Sequence, residues 1–175
     1  SYMSGFKVKI SESEVFPEVK ILKPDPFFDY RGEMWTFWEK DNEVLPKGHE
    51  WKISKFTRSR KNVLRGLHGD DKTHKLISCV YGKFYYVLAD NRKDSPTYKT
   101  WDSFILSAEN RKQILTPPGC AGSYFVLSDE CTFHYKLAFD GDYNDVPNQF
   151  VIKWDDPEWN FEWPHNNPIL YGRDK

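Results

Sequence analysis

Imidazole is the side chain best matched to moving protons near neutral pH, and five histidines are spread through the 175 residues. His68 and His74 stand six positions apart among charged residues, which could suggest a metal site. A cupin-type metal centre wants a His-x-His pair with a carboxylate and a third histidine, and no His-x-His occurs, so no metal is expected. Cys79, Cys120 and Cys131 are odd in number, widely spaced and free of any Cys-x-x-Cys. That fits neither a disulfide framework nor a zinc cage, and it suits a reducing, cytoplasmic setting. The chain also lacks Gly-x-Gly-x-x-Gly, a Walker-type Gly-Lys-Ser and Gly-x-Ser-x-Gly, so dinucleotide cofactors, P-loop chemistry and a hydrolase elbow have no support. The histidines remain as chemical candidates, although an isolated histidine in a β-rich chain more often just satisfies a hydrogen bond.

The elements that would position such groups read as strands. Thr132 to Phe139 alternates, placing Phe133, Tyr135, Leu137 and Phe139 on one face and His134 and Lys136 on the other, so Tyr135 is expected to point inward. Glu50-Trp51-Lys52-Ile53 alternates as well. Leu76 to Val80 and Phe84 to Ala89 are apolar runs of strand length, with Gly82 between them like a hairpin turn. Turn clusters at 90–96 and 116–119 break the runs at intervals typical of a sandwich or barrel. The expected fold is all-β: an antiparallel jelly-roll barrel with a few short helices, its lumen the natural ligand site.

Composition agrees. The 30 aromatic residues (7 Trp, 10 Tyr, 13 Phe) favour sheet. The length suits one domain spanning 1–175. A formal charge of -1 offers no field to hold a nucleic acid or an anionic membrane, and no apolar stretch approaches membrane-helix length. Ser1-Tyr2 ahead of Met3 reads as the remnant of a cleaved tag.

Val63-Leu64-Arg65-Gly66-Leu67-His68 resembles the Val-Leu-Arg-Gly-Leu-His signature of the dTDP-4-dehydrorhamnose 3,5-epimerase family, a branch of the cupin-like jelly rolls. His74-Lys75-Leu76-Ile77, Ser95-Pro96-Thr97-Tyr98, Leu106 to Gln113, Pro117-Pro118-Gly119, Val126-Leu127-Ser128, Tyr135-Lys136 and Trp154-Asp155-Asp156-Pro157 follow in the family's order. The resemblance implies epimerisation, without cofactor, at C3 and C5 or at C3 alone of a nucleotide-linked 4-keto sugar. It implies His68 as base, Asp174 as its acidic partner, Lys75 beside the C4 oxygen and Tyr135 as acid. It further implies that Arg65 and Arg31 bind substrate, Arg31 reaching the diphosphate of a neighbouring subunit in a homodimer.

Some positions depart from the family pattern. Cys120-Ala121-Gly122-Ser123-Tyr124 stands where the family has Phe-Ala-His-Gly-Phe, so Gly122 replaces a pocket histidine, and Gly69-Asp70 replaces Tyr-Gln. The family's Gln and Asn are missing from Trp51 to Phe56. Lost bulk at Gly69 and Gly122 predicts a vacancy lined by Asp70, Ser123 and Tyr124 that suits a sugar larger and more hydroxylated than a 6-deoxyhexose, unless neighbouring side chains or water fill it; resemblance to epimerases acting on GDP-linked 4-keto heptoses in capsule synthesis implies that substrate class. The alternatives are a related ketoisomerase and a noncatalytic sugar-nucleotide-binding barrel.

Overall fold

The computed structural model describes residues 8–175, and the Ser1-Tyr2 pair read as a tag remnant lies outside them. The described residues form thirteen strands: β1 (Val8–Glu12), β2 (Lys20–Pro24), β3 (Phe27–Asp29), β4 (Gly32–Met34), β5 (Trp51–Arg60), β6 (Leu64–Gly69), β7 (His74–Tyr81), β8 (Lys83–Asp90), β9 (Trp101–Ser107), β10 (Gln113–Thr116), β11 (Cys120–Val126), β12 (Glu130–Ala138) and β13 (Phe150–Val151). One antiparallel sheet runs β1-β2-β10-β7-β12-β5, the other β13-β6-β11-β8-β9, and β3-β4 is a separate hairpin. Among the described residues, helical structure is confined to short 3₁₀ turns. The jelly-roll barrel expected from the sequence is the fold observed.

The main core lies between the two sheets. Ile77, Cys79, Cys131 and Phe133 from the first meet Phe84, Tyr86, Leu88, Cys120 and Tyr124 from the second. The three cysteines are free and buried. Burial pushes the thiols of Cys79 and Cys120 up to about 12 and that of Cys131 to about 11. A second cluster explains why Phe84 to Ala89 reads as an unbroken apolar run: Phe84, Tyr86 and Leu88 face the lumen, while Val87 and Ala89 pack outward under Trp159 and Phe161. Gly82 is not a hairpin turn. The strands on either side of it belong to different sheets, so it is a corner where the chain crosses between them, at φ +79° and where a Cβ would overlap the Glu130 carbonyl and the Ser128 hydroxyl. The Ser95-Pro96-Thr97 turn is held by the Asp90 carboxylate, which accepts from Arg92 Nε (2.9 Å), Ser95 Oγ (2.8 Å) and Thr97 Oγ1 (2.6 Å).

Strand β6 carries the irregularity that matters most. Gly122 pairs with His68 and Tyr124 with Arg65, so Gly66 and Leu67 together oppose the single residue Ser123. In a regular strand, positions 65 and 68 would face opposite sides, since side chains alternate. The bulge turns both onto the lumen. Glycine is needed at its centre, because residue 66 sits at φ +116° and a Cβ there would lie 2.8 Å from Ser123 Cα and overlap the Gly122 carbonyl. Gly66→Ala is therefore expected to lower stability by roughly 1–3 kcal/mol or more, read as a drop in the urea midpoint at unchanged slope; an unaltered midpoint would contradict the bulge account.

Candidate active site

A cavity of about 720 Å³ opens in the barrel, within the range of ligand pockets, and both sheets line it. From β6, bulged as described, come Arg65 and His68; from β7 comes Lys75, and from β12 Tyr135, inward as the alternation requires. Asp174 arrives from the far end of the chain. Ile169 bridges to Val63 in parallel, with Ile169 N donating to Asn62 O (2.8 Å) and Leu64 N to Ile169 O (3.1 Å), so the last residues run back alongside β6. A 3₁₀ turn over Gly172–Asp174, tied down by Lys153 Nζ donating to Arg173 O (3.0 Å), then aims the carboxylate at His68.

The carboxylate divides its two oxygens. Oδ1 lies 2.5 Å from His68 Nε2 and Oδ2 accepts from Gly66 N at 3.2 Å. Arg173 Nη2 donates to His68 Nδ1 at 3.1 Å, and its Nη1 to Gln149 Oε1 at 3.0 Å. A donor facing Nδ1 and a carboxylate facing Nε2 select the tautomer with its proton on Nε2. Nδ1 is then the nitrogen with a lone pair to offer. Sequence reasoning missed Arg173, because it sits on an irregular terminal segment with no period to reveal its direction.

Lys75 and Tyr135 are set by the same burial. Desolvation pulls the Lys75 ammonium below the ordinary lysine range, and no carboxylate among the described residues comes within ion-pair distance of it. Desolvation pushes Tyr135 up to about 12, keeping its phenol protonated. Arg65 Nε donates to Ser59 Oγ (2.9 Å), leaving its terminal nitrogens at the cavity wall.

Other expected site residues are placed differently. Arg31 is not in this cavity: it sits on the exposed β3-β4 hairpin, paired with Asp29 at 2.5 Å. Ser123 borders the cavity, but its alternation with Gly122 and Tyr124 turns it outward beside Ala121 and Phe125, and its buried hydroxyl has no hydrogen-bond partner. The vacancy expected at Gly69 and Gly122 is absent. A Cβ on Gly69 would lie 2.6 Å from Phe150 Cζ, and a Cβ on Gly122 would lie 2.9 Å from Tyr86 Cζ and overlap its hydroxyl. Phe150 and Tyr86 already fill the space. Asp70 does not line the cavity either; its Oδ1 caps a turn by accepting from Lys72 N and Thr73 N, both at 2.8 Å. Tyr86 was the second residue missed, because the apolar run of β8 shows no period that singles out its face.

Comparison with known proteins places this geometry. A family model described as dTDP-4-dehydrorhamnose 3,5-epimerase matches residues 13–175. The chain belongs to that family. It is 38% identical over 163 residues to the dTDP-4-dehydrorhamnose 3,5-epimerase of Shigella flexneri, covering 90% of this chain and 88% of the relative. Its fold matches that of the Bacillus anthracis dTDP-4-dehydrorhamnose 3,5-epimerase solved with TDP and pyrophosphate, with TM-score 0.87, 32% identity and coverage of 96% and 97%. It likewise matches a Legionella pneumophila dTDP-6-deoxy-D-glucose-3,5-epimerase in complex with dTDP-4-keto-L-rhamnose, with TM-score 0.86, 31% identity and coverage of 96% and 89%.

A half-buried, desolvated ammonium without a carboxylate in ion-pair reach costs stability, so replacing Lys75 should recover some. Because its folded pKa is lowered, folding disfavours the charged form at neutral pH and the penalty fades as pH rises. Lys75→Met is expected to raise stability at pH 7 by about 0.5–2 kcal/mol. In ¹³C-lysine NMR it should remove a Cε resonance that titrates below about 10.5. Destabilisation at pH 7, or no early-titrating resonance lost, would contradict this assignment.

Proposed function

We propose that this chain epimerises a nucleotide-linked 4-keto sugar at C3, with or without C5, through an enolate. The observation that carries the reading is the disposition of the proton-transfer groups: His68 projects from one sheet and Tyr135 from the sheet facing it, into the same cavity. Inversion at carbon needs a base on one face and an acid on the other. A carbonyl at C4 acidifies the neighbouring C–H, and His68 Nδ1 takes that proton once the incoming sugar displaces Arg173. Asp174, already bonded through Nε2, supports the imidazolium that forms. The charge left on the C4 oxygen is met by the desolvated Lys75 ammonium, which is worth far more in a dry cavity than in water. Tyr135 then delivers its proton to the carbon from the opposite face, and solvent exchange returns one proton to the tyrosinate and takes one from His68.

The same reading gives the arginines their work, since a guanidinium matches diphosphate oxygens in a bidentate way. Arg65 stands at the cavity wall. Arg31 reaches a cavity only in a second copy, and the hairpin that carries it exposes Phe28, Tyr30 and Met34, an apolar surface suited to a homodimer. The relatives' names make a dTDP-linked 4-keto hexose the first substrate to try. With the Gly69 and Gly122 positions filled, no added volume argues for a heptose.

The test is proton NMR in deuterated water. Wild-type protein should wash deuterium into the carbon next to the C4 ketone of such a sugar nucleotide. His68→Asn should lower that exchange by about 10²–10⁴-fold with the fold intact. Tyr135→Phe should retain exchange better than net inversion, because the enolate still forms and is reprotonated on the face it left. Absence of exchange by the wild type across a panel of dTDP- and GDP-linked 4-keto sugars would leave a binding barrel, and near-full exchange by His68→Asn would remove His68 as the base.

A further inference from the structure

Tyr86 belongs to none of the roles assigned so far, yet it lines the cavity with its hydroxyl against Gly122. The residue is 2% exposed, and its hydroxyl makes no hydrogen bond among the described residues. The hydroxyl is not among the fully buried unpartnered atoms and opens on the cavity, so it is a donor that a ligand can reach. Its place is fixed from both sides. Phe84 packs against its ring at 6.5 Å between centroids, and the space for the hydroxyl exists only because residue 122 has no Cβ. Gly122 and Tyr86 therefore form one unit.

The direction of the ring tells where the hydroxyl points. Tyr86 pairs across the sheet with Tyr124, but its hydroxyl lies against Gly122, two positions along β11. Gly122 in turn pairs with His68 on the other side. The phenol thus leans along the lumen face to the level of the imidazole. Burial raises the Tyr86 pKa far above that of a free phenol, so the group is a neutral donor at any working pH. Lys75 and His68 line the same cavity as the Tyr86 phenol, so one ligand can meet all three.

We propose that the Tyr86 hydroxyl donates a hydrogen bond to the C4 oxygen of the keto sugar and, with Lys75, forms a two-donor pocket for the enolate. The proposal rests on the epimerase reading and adds a substrate-contacting residue to it. The carbonyl oxygen is two bonds from the carbon that His68 deprotonates, so a donor level with the imidazole is where that oxygen is met. No covalent step is added: the phenol keeps its proton throughout, and the enolate oxygen accepts it as a hydrogen bond. A donor of this kind acts mainly in the transition state, where the charge develops, so its loss belongs in kcat more than in KM.

Tyr86→Phe removes one unpartnered oxygen and nothing else, so the melting temperature should stay level or rise. Its deuterium wash-in and kcat are expected to fall by about 10²–10³-fold with KM within a few-fold of wild type. Gly122→Ala, whose Cβ displaces the phenol, should cut exchange in the wild-type background and add little further loss on top of Tyr86→Phe. Wild-type exchange alone tests the epimerase reading, and its absence overturns both readings. With the wild type active, equal kcat in Tyr86→Phe overturns the Tyr86 proposal and leaves the other standing. A rise in KM at unchanged kcat would likewise overturn it, since that marks a contact made equally in the ground state.

Discussion

The carboxylate of Asp174 is the one contact on which the rest of the site depends. It lies buried at the end of a segment that has no strand partner of its own beyond a single bridge, and it holds that segment by bonding to His68 Nε2 and Gly66 N. Hydrogen bonds to a charged group contribute about 1.5–3 kcal/mol each, and a buried carboxylate left without them costs more than it gains. The two bonds also set chemistry. One fixes the imidazole tautomer; the other fastens the bulge that turns Arg65 and His68 to the same side. The backbone conformation at Gly66 and the position of the chain end are therefore one constraint, not two.

Around that dyad the barrel supplies a poorly solvated space, and the direction in which each group shifts follows from it. Phenols are kept protonated, as at Tyr135 and Tyr86, while an ammonium is held where water does not share its charge, as at Lys75. An imidazole drawn from one sheet and a phenol from the facing sheet then bracket whatever lies between them. Both kinds of group come from rigid strands, which hold catalytic geometry better than loops do.

Much of this was legible in the residues, for identifiable reasons. The clean alternation around Tyr135 gave its direction, because β12 is long and one of its faces lines the lumen. The motif containing His68 marked the proposed base, yet its period gave no warning of the bulge at Gly66 that aims it. Gly82 read as a hairpin turn because a sequence shows a break between strands but not whether the next strand stays in the sheet. The reading of a vacated pocket failed for a related reason. Glycine at 69 and 122 shows what is missing from one strand, whereas what occupies the space comes from Phe150 and Tyr86, residues 81 and 36 positions away. Arg173 and Tyr86 stayed hidden because one sits in an irregular tail and the other in a strand buried on both faces.

The measurement that bears most directly on the central contact is the ¹⁵N spectrum of the His68 ring in histidine-labelled protein, its signals identified by their loss in His68→Asn. With Asp174 on Nε2 and Arg173 donating to Nδ1, the neutral ring should show a proton on Nε2 and a bare Nδ1. In Asp174→Asn that preference should weaken or reverse. A wild-type ring protonated on Nδ1, or one whose tautomer is indifferent to Asp174, would contradict the account that this carboxylate prepares the nitrogen that takes the proton.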